Sequence, residues 1–292
     1  MQLNDQLSDV SVLGLGAMGT AIARTLADRG HRTTVWNRSS RDTPTGALRV
    51  ATPAEAVAAS PVVLVCVLDQ PAARETLEAA NAALAGRVVV NLTSGTPAQA
   101  RETAAWLADH GADHLDGSIM ADPENVGTLQ TSFLYSGSQP AFETHRTMLE
   151  ALGTTQYLGA DPGRAAVYFM ALVAVGYETW LAYLDTLAYG EAEQVDVTAL
   201  APLVTGMFTA MSGLMESMAR AADDRRHPPA AGPLSVHAAL MDDVIGTRAR
   251  SGGDTTQLRR VKTLVDGRVA AGHGGEGFSS LIESLRSQEG HR

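Results

Sequence analysis

The sequence predicts an α/β domain with a doubly wound sheet, followed by an all-helical domain, the two joined by one long helix. Three observations carry this expectation. From residue 9 to residue 135, nearly continuous apolar strands alternate with helix-like stretches, as in a parallel sheet covered on both faces. A glycine-rich string follows the first strand at once and opens a helix. After the turn Asp161-Pro162-Gly163, strand signals vanish and helical segments follow one another between turn formers.

In order, 9–15 (DVSVLGL) reads as a strand, a β-branched run ending in glycine. Residues 17–28 read as a helix, because Met18, Ile22, Ala23 and Leu26 recur at helical spacing. Strands follow at 33–36, 62–68 (VVLVCVL) and 87–92 (RVVVNL), the last two separated by a helix over 71–84. Pro97 introduces a helix through Asp109, and strands are expected at 114–117 and 132–135. The second part holds helices at 164–192, 197–222, 233–249, 255–271 and 277–287, broken by ADDRRHPPAAG, RSGGD and AGHGGE. The expected domains are therefore 1–162 and 163–292, the latter opening on the long helix 164–192.

Composition narrows the function classes. The chain of 292 residues carries 22 basic and 32 acidic residues, a net charge of −10. That sign disfavours nucleic acid as a partner. A single cysteine, Cys66, excludes an internal disulfide framework, a structural zinc cluster and a CxxC redox pair, and no metal site is expected. The start, MQLNDQLSDV, shows no basic region or apolar run of a secretory signal, so a cytoplasmic setting is expected. Residues 165–177 (AAVYFMALVAVGY) are uncharged but only 13 long, followed by Glu178 and Asp185. A membrane span needs about 20 apolar residues, and the segment reads as a buried helix of a soluble protein.

Gly14-Leu15-Gly16-Ala17-Met18-Gly19 fits G-x-G-x-x-G between a strand and a helix, the setting that marks a Rossmann-type dinucleotide site. Gly14 permits the tight turn, Gly16 lets the backbone approach a pyrophosphate, and Gly19 lets helix and strand pack closely. The helix N-terminus offers free N–H groups and a positive dipole end to the phosphates. A site for NAD usually has an acid at the end of the second strand to take the ribose hydroxyls. This chain reads Trp36-Asn37-Arg38-Ser39-Ser40-Arg41, with no acid before Asp42. Arg38 and Arg41 suit a 2′-phosphate, and Asn37 and Ser39 offer hydrogen bonds to it. NADPH is the expected cofactor, and Trp36 reads as a packing residue.

Several further motifs carry a family resemblance: VLGLGAMG (12–19), VWNRS (35–39), VCVLD (65–69), NLTSGTP (91–97), LDGSIMADP (115–123), LYSGS (134–138) and AAGHGGEGF (270–278). Over nearly its whole length the chain resembles two related groups, the β-hydroxyacid dehydrogenases and the imine reductases with the reductive aminases. NLTSGTP and the stretch around GSIMA are similar to the imine reductases far more than to the hydroxyacid enzymes. The resemblance implies an NADPH-dependent homodimer whose long helix packs into the partner, acting on a small imine or amine.

The residue chemistry points the same way. The resembled hydroxyacid dehydrogenases place a lysine on the long helix to stabilise charge on a carbonyl oxygen. Here the sole lysine is Lys262, and 165–180 contains no lysine, arginine or histidine. Reducing a ketone makes an alkoxide that must be protonated or held by a cation. An iminium carbon needs neither, because its nitrogen already carries the proton and the charge.

The resemblance assigns the remaining residues. Where imine reductases usually carry an aspartate, sometimes a tyrosine or asparagine, on the long helix, this chain has Phe169, which cannot move a proton; Phe169 and Val173 are then apolar lining. Tyr177 lies eight residues on, about 12 Å along the helix and rotated about 80°. It is the candidate proton donor or partner of the substrate nitrogen, against the alternative of an ordinary buried aromatic; a phenol is a weak acid at neutral pH. Asn91, closing the fourth strand, is placed near nicotinamide and substrate, although Asn at a strand end also serves as a turn former. Ser94 and Thr96 fall to the cofactor ribose, Leu68 and Asp69 to the adenosine side, and Ile119 and Met120 to the nicotinamide pocket. Met207, Met211, Met215 and Met218 form a stripe that suits a core or dimer interface or a flexible apolar substrate wall. His237 and Met241 join that wall, with a structural role for His237 as the alternative.

The reading is an NADPH-dependent imine reductase or reductive aminase that transfers hydride to a cyclic imine or preformed iminium ion. A 3-hydroxyacid dehydrogenase and a non-catalytic NADPH-binding dimer remain as alternatives.

Overall fold

In the computed structural model, which describes residues 9–289, the chain divides into two compact units, 1–175 and 176–292. The expectation drawn from MQLNDQLSDV rests almost wholly on residues 1–8 and lies outside the described residues.

The first unit is built on eight strands: β1 (Asp9–Leu13), β2 (Arg32–Trp36), β3 (Leu48–Arg49), β4 (Val62–Val65), β5 (Val88–Asn91), β6 (Asp113–Met120), β7 (Ser132–Gly137) and β8 (Thr154–Tyr157). They lie side by side in the order β3-β2-β1-β4-β5-β6-β7-β8. Helices α1 (Ala17–Asp28), α2 (Pro53–Ala59), α3 (Gln70–Glu78), α4 (Pro97–Asp109) and α5 (Gln139–Glu150) connect them. The order reverses between β1 and β4, the switch point where doubly wound sheets open a crevice for ligands. The run VVLV explains why the sheet is covered twice: Val62 and Leu64 enter one core with Ile22 and Leu26, while Val63 and Val65 enter the other with Leu77 and Val89. Successive side chains of a strand point to opposite faces, so a continuously apolar strand needs two covers.

The sheet departs from an all-parallel arrangement at one place. β7 runs antiparallel to β6, with Asp116 opposite Ser136 and Ile119 opposite Phe133, and β8 is parallel to β7. The connection 121–131 holds a short 3-10 turn, Pro123–Asn125, and no crossover helix. Parallel neighbours require such a crossover, so the chain returns in the opposite direction. The strands expected at 9–15 and 62–68 end earlier, at Leu13 and Val65, where Gly14 and Cys66, Val67 and Leu68 turn to line the crevice, and the strand expected at 87–92 spans Val88–Asn91, with Leu92 in the core. The helix expected over 71–84 stops at Glu78 and resumes as a 3-10 turn over Asn81–Ala83.

The long helix α6 (Arg164–Ala192) has the expected limits, and its start is fixed from the sheet. The Ala165 N–H donates to Ser136 Oγ (2.9 Å), and Ser136 Oγ donates to the Pro162 carbonyl (2.9 Å). Asp116 accepts the Ala166 N–H; burial nevertheless pushes its carboxyl up to about 7. The turn before it is clamped by Arg101, which makes a two-pronged pair with Asp161 at 2.8 Å and 2.8 Å.

The second unit contains α7 (Val197–Asp223), α8 (Leu234–Arg250), α9 (Thr256–Arg268) and α10 (Leu281–Glu289). Leu234, Val265 and Leu281 form its small core, with Met241 and Phe278 packed against them. The expectation of a buried helix over 165–177 is corrected: Val167, Leu172 and Val175 are exposed, as are Trp180, Leu181 and Leu184 further along α6. By length and composition, both α6 and α7 are long and apolar enough to cross a membrane.

Candidate functional site

The glycine turn shows why each glycine is there. Gly14 has φ +104°, and a Cβ on it would stand 2.1 Å from the Cys66 carbonyl oxygen. A Cβ on Gly19 would stand 2.1 Å from the Gly14 carbonyl oxygen, whereas a Cβ on Gly16 would meet nothing beyond its chain neighbours within 4 Å. Gly14 and Gly19 thus hold β1, β4 and α1 close together, and Gly16 leaves open space in front of the backbone. Gly16 is also the N-cap of α1 and supplies no side-chain cap, so the first-turn N–H groups are left for an anion.

This turn borders a cavity of about 500 Å³ at the ends of β1, β2 and β4. Gly14, Gly16, Ala17, Met18 and Gly19 form one wall, Trp36, Asn37, Arg38, Ser39 and Arg41 a second, and Cys66, Val67, Leu68, Ala72 and Thr76 a third. Burial pushes the Cys66 thiol up to about 11, so it adds no negative charge. Among the described residues no carboxylate lines the cavity; the nearby Glu75 is paired with Arg38, Oε2 to Nη1 at 3.3 Å. Uncapped N–H groups, open space at Gly16 and two guanidiniums fit a dinucleotide with a 2′-phosphate.

Two of the residues expected around the cofactor have different duties. Asn37 accepts the Leu15 N–H through Oδ1 (2.8 Å) and donates through Nδ2 to Ser39 O (3.0 Å) and Ser39 Oγ (3.2 Å). Its amide ties the glycine turn to the following loop, and its donors are spent there rather than on a phosphate. The N–H of Leu15, itself buried, is spent in the same tie. Trp36 both lines the cavity and donates its indole N–H to Ala51 O (3.2 Å).

Asn91 closes β5 with none of its surface exposed. Its Nδ2 donates to Gln70 Oε1 (2.9 Å) and its Oδ1 accepts the Thr93 N–H (3.1 Å); Gln70 Nε2 donates to the Thr93 carbonyl (2.6 Å). The Val67 N–H donates to Thr93 Oγ1 (3.1 Å). This buried network locks the ends of β4 and β5 together. As placed, the Asn91 amide holds the loop and does not face a cleft. Asp69 and Thr96 act as helix caps, accepting N–H bonds from Ala72 and Gln99 respectively. Leu68 is 90% exposed on the cavity wall, and Ser94 is exposed on its loop.

The residues expected around the substrate are spread through the chain. Ile119 packs against the core of the first unit, with Met120 half-buried beside it. Phe169 and Val173 are half-buried on α6 in the first unit. In the second unit Tyr177 is 65% exposed and meets Trp180 edge to face. Met207 and Met211 are exposed on α7, which excludes a core role for them within the chain. His237 meets the Phe278 ring edge-on, and Met241 packs into the small core instead of forming a free wall. The sole lysine, Lys262, is held between Asp242 (3.3 Å) and Asp266 (3.0 Å). Gln70, Thr93, Glu75 and Arg49 shape the site without a motif to announce them.

Residues 9–160 match the NAD binding domain of 6-phosphogluconate dehydrogenase, and residues 161–287 match the C-terminal domain described as NADPH-dependent reductive aminase-like. The NADPH-dependent reductive aminase of Aspergillus oryzae is 33% identical over 95% of this chain and 97% of its own length. A reductive aminase from Aspergillus terreus, solved with NADPH and ethyl levulinate, superposes with a TM-score of 0.86 at 33% identity, covering 96% of this chain and 100% of that one. An imine reductase from Streptomyces aurantiacus does so with a TM-score of 0.84 at 35% identity, over 95% and 99% of the two chains. Glycine turn, arginine-bearing loop and helical second half together with these likenesses lead to one conclusion: the chain belongs to the NADPH-dependent reductive aminase and imine reductase family.

Proposed function

We propose that the chain reduces a cyclic imine or preformed iminium ion to an amine, within the family's NADPH-dependent chemistry at C=N bonds. The observation that carries this reading is the fate of Lys262, the only ammonium side chain in the sequence, which two carboxylates hold on α9. A ketone reduction needs a cation or acid at the nascent alkoxide; an iminium ion arrives with its own charge.

Bound NADPH supplies the hydride. The N-terminus of α1 and the glycine turn would hold its pyrophosphate, Arg38 and Arg41 its 2′-phosphate, and Ser94 and Thr96 its ribose. Asn91 supports the nicotinamide end of the site through the loop it anchors. Tyr177 is the partner of the substrate nitrogen: its phenol donates a proton or hydrogen bond to a neutral imine nitrogen, or to the amine nitrogen whose lone pair is released once hydride has added to an iminium carbon. Phe169, with Val173, gives an apolar wall at the position where the resembled imine reductases usually place an aspartate, sometimes a tyrosine or asparagine. Met120, Met207, Met211 and His237 complete the substrate surroundings, and Ile119 and Met241 act on them only from the cores into which they pack.

The working unit is a homodimer, with the substrate cleft at its interface. Support comes from the exposed apolar side chains of α6 and α7, a larger apolar surface than a monomer keeps in water. A second copy suits these helices better than lipid, because Glu178 and Asp185 fall within α6 and a carboxylate in hydrocarbon costs about 3 kcal/mol. Residues 1–162 serve as the NADPH-binding domain and 163–292 as the dimerisation and substrate domain. A cytoplasmic location fits the single cysteine.

The test is NADPH consumption coupled to amine formation across a panel of cyclic imines. Turnover is expected. Tight NADPH binding without turnover, or faster oxidation of a 3-hydroxy acid at alkaline pH, overturns the proposal.

A further inference from the structure

We propose that Arg49 is the positioning residue behind the preference for NADPH over NADH. It holds the 37–41 loop in the shape that aims Arg38, Ser39 and Arg41 at a 2′-phosphate. The inference rests on the reading that this loop receives that phosphate.

Arg49 lies on β3, a two-residue strand at the sheet edge, where it pairs with Val35 of β2. Its guanidinium reaches back to three main-chain carbonyls: Nη1 donates to Arg41 O at 2.6 Å, and Nη2 donates to Ser39 O at 3.2 Å and Asn37 O at 3.4 Å. Among the described residues, the main-chain bonding around this loop stops at Trp36 and resumes between Pro44 and Ala47. Between those points the loop is held by side chains. Asn37 ties it to the glycine turn on one side, and Arg49 gathers carbonyls 37, 39 and 41 on the other.

A planar guanidinium with five donors can serve several acceptors in one fixed geometry, which an ammonium cannot. Fixing those three carbonyls fixes the backbone that carries Arg38, Ser39 and Arg41 into the cavity. Arg49 is not itself on the cavity wall. Its bonding partners are carbonyls rather than carboxylates, so its charge still adds to the positive field a phosphate dianion meets. Ordering the loop in advance also removes an entropy cost that binding would otherwise carry.

The test uses Arg49→Met and Arg49→Lys in the full chain. Binding of 2′,5′-ADP and of 5′-ADP is measured by calorimetry, and KM and kcat for NADPH and NADH with one imine. Arg49→Met is expected to weaken 2′,5′-ADP and raise the NADPH KM about tenfold, the size of one charge-assisted hydrogen bond. Binding of 5′-ADP, the NADH KM and kcat at saturating NADPH should stay within about twofold, a split that general loosening of the fold would not produce. Arg49→Lys keeps the charge without the fork and should retain at least a threefold loss for the phosphorylated pair. Equal losses for both probes, no loss, or full rescue by lysine overturns the proposal; if Arg49→Met does not fold, the lysine variant decides alone. Arg38→Ala in the same assay separates the two readings. If it weakens both probes equally, the 2′-phosphate assignment fails; if it discriminates and the Arg49 variants do not, only the role of Arg49 falls.

Discussion

Arg38→Ala isolates the cofactor preference in one side chain. In the structure Arg38 pairs with Glu75 at 3.3 Å, and the two side chains are 76% and 71% exposed. An ion pair so open to water is worth at most about 1 kcal/mol, so the substitution leaves folding stability nearly unchanged. Its cost falls on the phosphate: a hydrogen bond to a charged group contributes about 1.5–3 kcal/mol, which corresponds to roughly 10- to 150-fold in affinity. Exposure and salt place the effect near the lower end. Initial rates at fixed imine should therefore show the NADPH KM rising about tenfold while the NADH KM stays within about twofold. Glu75 competes with the phosphate for the same guanidinium, so Glu75→Gln should lower the NADPH KM by about twofold, more at low salt than at high. Equal changes for both cofactors in Arg38→Ala would refute the reasoning.

The glycine turn gives a paired prediction. Gly14→Ala places a Cβ 2.1 Å from the Cys66 carbonyl at φ +104°, so both the thermal midpoint and NADPH binding should fall sharply. Gly16→Ala meets no atom within 4 Å at φ −67° and should keep its midpoint while losing the thermal shift NADPH gives; an unchanged shift would contradict the open-backbone assignment. Burial raises the Asp116 carboxyl to about 7, with the Ala166 N–H opposing in part. A raised acid favours the fold at low pH, and that contribution is lost as pH climbs from about 4 to about 7. In urea titrations Asp116→Asn should match the wild type near pH 4 and exceed it above pH 7, by on the order of 2–4 kcal/mol; parallel curves would refute this. Tyr177→Phe should lower imine turnover with little change in NADPH affinity, and an unaltered rate would remove the phenol from the chemistry.

Much of the fold is legible because local pattern and tertiary role agree. VVLV announces a strand buried on both faces, and α1 and α6 keep the limits that their apolar spacing and flanking turns imply. The direction of β7 is not written in β7 itself; it follows from a connection without a crossover helix. α5 presents Ala141, Phe142, His145, Met148 and Leu149 at helical spacing, and α2 opens on a capping box of Thr52 and Glu55. Both signals are in the sequence, although the expected elements assign nothing there. β3, only two residues long, carries no period to read. The glycine turn is legible because steric demand allows only glycine at Gly14. The Asn91–Gln70–Thr93 network and the grip of Arg49 are not, since they depend on which carbonyls and strand ends the sheet brings together. The exposure of α6 within the single chain is not legible either: apolar composition marks a helix suited to burial, not whether the chain's own side chains cover it.

The central claim is that the substrate carbon arrives activated by a cationic nitrogen. Its most direct measurement is kcat/KM with NADPH for a small cyclic imine and for the ketone of the same ring, under identical conditions. The imine should be consumed at least a hundredfold more efficiently, about 2.7 kcal/mol in transition-state free energy. A ketone reduced as well as the imine would contradict the account.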